Sequence, residues 1–308
     1  MTASDWSDGA CDRFGPTWDA SGTMTDTPQV EPIDDASVPE VARFLHENLN
    51  PRLSVDEWAR AIVPPWPVAQ PHHGFCLRVG QNLVGVYVAF FSERVVAGRV
   101  WTVCNLAAWC VLDGYGAHGL RLLRALLAMG CDVYTDLSPS GSVVTIDERL
   151  GFRRLDTTTD VRPSLPAIRV NHRVEVVTDE SRIPDLISGA DLEVFRSHRG
   201  AEAISNVVLL FRGQPCYVIY RRVRRKRLPL FASMVYVGDT ALFGRVVGRL
   251  SGHLLVRGIP FLLAERRIVG GPVSLSRTIQ GRPKLYRGAG VSPADVDDLY
   301  SEITCVRW

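Results

Sequence analysis

The segment Trp101–Leu127, WTVCNLAAWCVLDGYGAHGLRLLRALL, sets an apolar run, a glycine turn and an amphipathic run in direct succession. A strand that passes through glycines straight into a helix packs that helix back on its own sheet, so the segment demands an α/β layer. Such a turn also aims several backbone N–H groups at one point before the helix N-terminus. That is an anion site, usually for the phosphates of a cofactor. The helix is expected from about Gly119 to Met129, with Leu120, Leu123 and Leu127 on its inner face.

The flanking sequence supplies the rest of the layer. Gln29–Ile33 reads as a strand, and Asp34 or Asp35 caps a helix over Val38–Leu49. Ser54-Val-Asp-Glu57 is a capping box for a second helix through Ile62, ended by Pro64-Pro-Trp-Pro67. Gly74–Val79 and Leu83–Ser92 form a hairpin around Gly80-Gln-Asn82, and Val100–Leu112 is a third, longer strand. After the glycine helix come a strand, Cys131–Leu137, and a helix from Ser138-Pro-Ser-Gly141 to Arg149-Leu-Gly-Phe152, with Gly151 at its C-terminus.

The order of elements then recurs. A helix near Ile183–Ile187 precedes strands Asn206–Phe211, Cys216–Arg222 and Leu230–Val237, a helix Ala241–Arg257 and a strand Pro260–Ala264. Gly80-Gln81 and Gly213-Gln214 occupy matching turns, each followed by Tyr-Val. We therefore expect a tandem duplication. Its parts are a disordered tail (1–28), a first domain (29–160), a linker (161–180) marked by Pro163 and Pro166, and a second, degenerate domain (181–308). The tail holds five Asp, one Arg and no periodic pattern, and Met24 is a candidate translation start.

Several function classes are disfavoured by composition. Thirty-five Lys and Arg stand against 33 Asp and Glu, so no net charge points to nucleic acid. No apolar run spans a bilayer and no secretory signal is visible. Seven scattered cysteines without a CxxC pair read as reduced core thiols, hence a cytoplasmic protein. Seven scattered histidines form no metal motif, and no metal is expected. The run Arg221–Arg227, six basic residues in seven, reads either as a solvated strand edge or as a contact for an anionic partner. Without interleaved aromatics it is a poor nucleic-acid platform.

Two cofactor readings fit the glycine turn. Gly114-Tyr-Gly116-Ala-His-Gly119 satisfies G-x-G-x-x-G, Val111-Leu-Asp113 is similar to the start of an S-adenosylmethionine loop, and Asp136 lies where a ribose-binding acid belongs. The candidate strand is, however, the fourth of its unit, and too few βα units follow to complete a doubly wound sheet. The second reading covers more of the chain. The order strand, two helices, hairpin, long strand, glycine turn, helix, strand and a helix ending in Asp147-Glu-Arg-Leu-Gly-Phe152 resembles the GNAT superfamily of acyl-CoA N-acyltransferases.

That resemblance implies an α/β (α+β) fold of two GNAT-like domains in tandem, each a mixed, mainly antiparallel central sheet flanked by helices. It also implies acetyl-CoA or another acyl-CoA as cofactor, held near Trp109, Val111, Tyr115, Gly116, Ala117, His118, Gly119, Leu120 and Arg121. Gly119 is expected at the closest approach to the diphosphate, and backbone N–H groups near Trp109–Val111 at the oxyanion. Gly116 stands where the family has Arg, so Arg121 either supplies the missing charge or obstructs the diphosphate. Asp147 replaces the family's tyrosine acid, and Asn105 lies where several members place a glutamate base. Glu93 is a candidate acceptor of the substrate ammonium proton. Tyr134, Asp136, Ser138 and Ser140 are candidates to line the acceptor site. The implied reaction is direct attack of an amine, on a small molecule or a glycan or peptide precursor, at the thioester. Similar two-part proteins act in bacterial surface-polysaccharide and peptidoglycan-precursor chemistry. The alternatives are a non-catalytic binding module and a nucleotide- or S-adenosylmethionine-binding enzyme.

Overall fold

Alternating apolar residues in three successive long strands build the centre of one sheet, and the same pattern one half-chain later builds a second. The computed structural model describes residues 17–18, 24–25, 27–68, 72–96, 98–166, 174–225 and 228–307. Near the start β1 (Thr17–Trp18) pairs with β2 (Met24–Thr25), so the expected tail contains a strand pair; residues 1–16, 19–23 and 26 lie outside the described residues. The first half then runs β3 (Gln29–Pro32), α1 (Val38–Asn48), α2 (Val55–Ile62), β4 (Gly74–Val79), β5 (Asn82–Val96), β6 (Arg99–Val111), α3 (Gly116–Leu127), β7 (Val133–Asp136), α4 (Gly141–Arg149) and β8 (Arg153–Arg154). Ser54 and Glu57 form the expected reciprocal cap of α2.

The second half runs β9 (Thr158–Pro163), β10 (Val174–Val177), α5 (Ile183–Leu186), α6 (Gly189–His198), β11 (Ile204–Phe211), β12 (Gln214–Arg225), β13 (Leu228–Val237), α7 (Thr240–Val256), β14 (Phe261–Glu265), α8 (Arg266–Val269), β15 (Arg277–Gln280), β16 (Leu285–Gly288) and α9 (Glu302–Cys305). The sheets are seven-stranded, ordered β3-β4-β5-β6-β7-β16-β8 and β10-β11-β12-β13-β14-β9-β15. Both are mainly antiparallel with one parallel pair, β6 with β7 and β13 with β14. Gly80-Gln81 and Gly213-Gln214 sit in corresponding hairpin turns, as the recurrence predicted. A single doubly wound parallel sheet is absent, which removes the dinucleotide-type reading of the glycine turn.

The domain boundaries need correction. β9 leaves the first half and enters the second sheet between β14 and β15, while β16 returns from the second half into the first sheet between β7 and β8. Residues 158–163 therefore do not belong to a first domain ending at 160, and β10 is a strand inside the expected linker 161–180. Sequence periodicity shows that a short segment is a strand but not which sheet it joins.

Helix α3 also turns a different face inward. Leu123 is fully buried as expected, but with Leu122 and Leu126, whereas Leu120 is 41% exposed; the helix begins at Gly116 rather than Gly119. Burying each such leucine contributes roughly 1.5–3 kcal/mol.

The exchanged β9 is pinned by Asp160, which is wholly buried. Its carboxylate accepts from Arg266 Nε (3.1 Å) and Nη2 (3.0 Å), Val273 N–H (2.9 Å) and Thr278 Oγ1 (2.8 Å). Asp160→Ala leaves buried donors without an acceptor and is expected to cost on the order of 3 kcal/mol. Since each sheet contains a strand of the other half, both halves should unfold in one transition at a lower denaturant midpoint. Two separated transitions in a circular-dichroism denaturation curve would contradict the interlocked arrangement.

Candidate active site

Strands β6 and β7 pair only over Val103–Leu106 and Val133–Asp136. Beyond Leu106, β6 continues to Val111 without a partner on that side, so the strands splay. The pairing of β6 with β5 slips at the same place: Trp109 opposes Tyr87 and Leu106 opposes Ala89, leaving an extra residue at Ala107–Ala108. Such a bulge bends the strand and frees backbone groups from the ladder. The irregular point thus lies at 107–108, while Trp109–Val111, expected to hold the oxyanion, keep regular register with β5.

A cavity of about 510 Å³ opens at this splay. Ala107, Ala108, Trp109, Asp136, Ser138 and Ser140 line its first-half wall. Ser140 begins α4 without capping it, so its hydroxyl is available to the cavity. Arg221, Arg224, Glu265, Lys284 and Asp298 line the opposite wall, contributed by the second half.

Three buried carboxyl groups converge behind the first wall. Asp136 ends β7, Asp147 comes from α4 and Glu302 begins α9; all are less than 5% exposed. Neither oxygen of Asp147 meets an N–H or O–H donor, and the group facing it is the Asp136 carboxyl. Burial pushes Asp147 up to about 6; burial, with the charges of Glu302 and Asp147, holds Asp136 well above the usual carboxylate range. The two therefore act as a proton-sharing pair. Glu302 is pushed up to about 7 by burial, opposed by the hydrogen bond from Ser138. Ser138 Oγ donates to Glu302 Oε1 at 2.7 Å, and Oε2 is buried without a partner. Among the described residues no three His, Cys, Asp or Glu side chains are placed to hold a metal ion.

Of the expected catalytic residues the structure brings together Asn105, Asp136 and Asp147 but not Glu93. Asn105 is a positioning residue: its Nδ2 donates to Thr135 Oγ1 (3.1 Å) and its Oδ1 accepts the Glu302 N–H (3.0 Å). Asp147 does not reach the cavity; Asp136 stands in front of it. Glu93 is exposed on the outer part of the hairpin, opposite Thr102 and away from the cavity. Tyr134 is also misplaced as a substrate group, since its hydroxyl donates to Leu127 O and accepts from Cys131 N–H, both at 3.0 Å. Glu302 was not anticipated, because no motif surrounds it and only the fold brings it to the first half; Arg221 stands in the basic run read as an edge or an anion contact, and the fold places it on the cavity wall.

The glycine turn lies beside this region. Gly114 takes a φ of +91°, a conformation that glycine adopts without strain, and Tyr115 precedes the first turn of α3. Gly116, Ala117 and Leu120 are exposed, and His118 is half-buried. The first N–H groups of the helix lack intrahelical acceptors. Trp109 stacks on Tyr87 with ring centroids 4.8 Å apart, and its buried Nε1 has no acceptor. An orphaned indole donor next to unpaired helix-start amides fits a phosphate-bearing group. Arg121 instead donates to the Pro28 carbonyl, tying α3 to the segment before β3. Gly119 is not the point of closest approach: a Cβ there would lie 3.2 Å from Val111 Cγ2 and 3.4 Å from the Trp109 ring. At Gly116 a Cβ meets nothing within 4 Å.

With this geometry the likeness to known structures can be stated. A GCN5-related N-acetyltransferase of Anabaena variabilis superposes with a TM-score of 0.55 at 9% identity, covering 85% of this chain and 72% of its own. One from Kribbella flavida gives 0.54 at 14% identity, covering 85% and 71%. The fold is that of the GCN5-related N-acetyltransferases. Saccharomyces cerevisiae N-myristoyltransferase, solved with myristoyl-CoA and inhibitors, also matches, at a TM-score of 0.51 and 11% identity over 92% of this chain and 87% of that one. No protein-family model and no curated relative matches the sequence. No helix among the described residues of this acetyltransferase fold is long and apolar enough to cross a membrane.

The acid cluster has a pH signature. Glu302 ionises near 7 in the fold against 4.5 for a free side chain, so between those values the folded state holds a proton that the unfolded chain releases. Its contribution is present below about pH 4.5 and is lost as pH rises through 7, amounting to on the order of 3 kcal/mol. Urea denaturation at pH 5 and pH 8 should show Glu302→Gln losing less stability across that interval than the wild type. Equal losses would mean that Glu302 is not a buried acid.

Proposed function

We propose that this protein is an acyl-CoA-dependent N-acyltransferase, transferring an acyl group, acetyl in the first instance, to the amine of a small molecule or of a glycan or peptide precursor. The observation that carries the reading is Glu302, buried, ionising near neutrality and joined through Ser138 to the cavity at the strand splay. The N–H groups of Gly116 and Ala117 and the Trp109 indole are assigned to the cofactor phosphates, and the free edge of β6 to the pantetheine arm. Bound there, acyl-CoA supplies an activated thioester and leaves a thiol that needs a proton.

The chain's own residues supply the remainder. Ser138 Oγ takes the proton of the attacking amine as it passes its own to Glu302, a carboxylate whose pKa suits a general base at neutral pH. The amides freed at Ala107–Ala108 are assigned to the developing oxyanion. Asp136, protonated within its pair with Asp147, provides an acid at the cavity wall in place of the family's tyrosine. One acyl-CoA per chain is expected, because the matching helix start in the second half is already filled. There Asp239 Oδ1 accepts the Leu242 N–H at 2.8 Å, and the Asp191 carboxylate lies where a Cβ on Gly238 would stand, 2.3 Å away.

Calorimetry with acetyl-CoA should give one site per chain. Gly116→Val, which the fold accommodates, should weaken it by at least about ten-fold. Glu302→Gln should lower kcat by roughly 10²–10⁴-fold, with acetyl-CoA affinity retained. Tight cofactor binding without thiol release from any amine acceptor would favour a non-catalytic binding module. Absence of acetyl-, octanoyl- and myristoyl-CoA binding would remove the assignment.

A further inference from the structure

The far wall of the cavity carries three arginines, Arg221, Arg224 and Arg282, that form no ion pair with a described residue. Arg221, on β12, is only 7% exposed, yet among the described residues its one hydrogen bond is from Nη1 to the Ile303 carbonyl at 3.0 Å. A guanidinium has five donors, and burying it with one partner is costly unless something else pairs with it. Glu302 and Asp298 act on Arg221 only from a distance, and Arg282 stands near enough to repel it.

The other acids of that wall are already engaged. Glu265 accepts from Lys284 at 2.6 Å and pairs with Arg267 at 2.8 Å; Asp298 pairs with Arg267 at 2.6 Å and also with Lys284. Asp136 is held well above the usual carboxylate range by burial. Arg52, Arg221, Arg224 and Arg282 thus face one cavity, and none forms an ion pair with a described residue. A solvated basic edge accounts for the exposed three but not for Arg221, which has left water.

We propose that the acceptor is an amine bearing an oxyanion, a carboxylate or a phosphate, and that Arg221 binds this oxyanion within a site completed by Arg224 and Arg282. The inference rests on the acyltransferase reading for the amine, and on the cavity alone for the anion. Arg221 bonds the carbonyl of Ile303, the preceding residue is Glu302, and Glu302 accepts from Ser138. The anion-binding and proton-accepting groups are therefore fixed to the same short helix, α9, which sets the separation of anion and amine in one substrate. A planar, bidentate fork suits either oxyanion.

Two probe pairs separate the sources. The full chain is titrated calorimetrically with β-alanine against β-alaninamide, and with phosphoethanolamine against ethanolamine, with and without acetyl-CoA. In at least one pair the anionic member should bind about ten-fold or more tightly than its neutral partner; which pair responds identifies carboxylate or phosphate. Arg221→Met should abolish the preference while leaving acetyl-CoA affinity unchanged. The double variant Arg224→Ala, Arg282→Ala, altered only at exposed positions, should weaken anion binding several-fold even if Arg221→Met fails to fold. Equal binding of both members in both pairs overturns the proposal. So does a preference that survives the variants, or displacement of the anion by acetyl-CoA, which would give these arginines to the cofactor phosphates. If the preference holds while acetyl-CoA does not bind, the anion site stands and the acyltransferase reading falls.

Discussion

Each sheet has a gap that only the other half can fill. β7 and β8 are not neighbours; β16 lies between them and pairs with both, through Leu285 with Asp136 and Arg154, and Tyr286 with Thr135 and Arg153. β9 does the same for β14 and β15. A strand inside a sheet cannot leave without exposing two rows of backbone donors and acceptors, so the exchange fixes the halves rigidly. Everything at the cavity follows from it. Lys284 precedes β16, and α9 comes after it and reaches the first half to meet Asn105.

Desolvation sets the chemistry of that region. Asp136, Asp147 and Glu302 are removed from water without a cation close enough to pair with them, so their protons are held towards neutral pH. On the other wall Glu265 and Asp298 are equally buried but bridged by Arg267 and Lys284. The same residue type thus plays two roles. Where carboxyls face one another they store protons, and where they face cations they build a fixed ionic lattice that supports the wall.

The two halves share a plan but differ at the helix start. β13 carries a slip against β12 near Val235 that corresponds to the Ala107–Ala108 bulge of β6. At the head of α3 no side chain caps the helix, whereas α7 is capped by Asp239. In the first half no side chain occupies the helix-start amides; in the second an aspartate accepts from one of them.

Much of the layer was legible in the sequence. The Ser54–Glu57 box, the Gly80 and Gly213 turns and the strand–glycine–helix succession are local signals, decided by backbone conformation and side chains a few residues apart. They located nearly every helix and long strand of the first half, and the strand end and helix start they set at Asp136, Ser138 and Ser140 line the cavity. The inner face of α3 was only partly read: Leu123 is buried as expected, but its buried neighbours are Leu122 and Leu126, and Leu120 is exposed. The short strands β9, β15 and β16 were missed, since four to six residues carry too little periodicity to declare a partner. Which sheet β9 and β16 enter, and hence that Glu302 meets the first half, depends on pairing across about a hundred residues of chain or more. Local sequence determines conformation over a few residues. Only tertiary closure decides which of the buried charges will have to share a cavity.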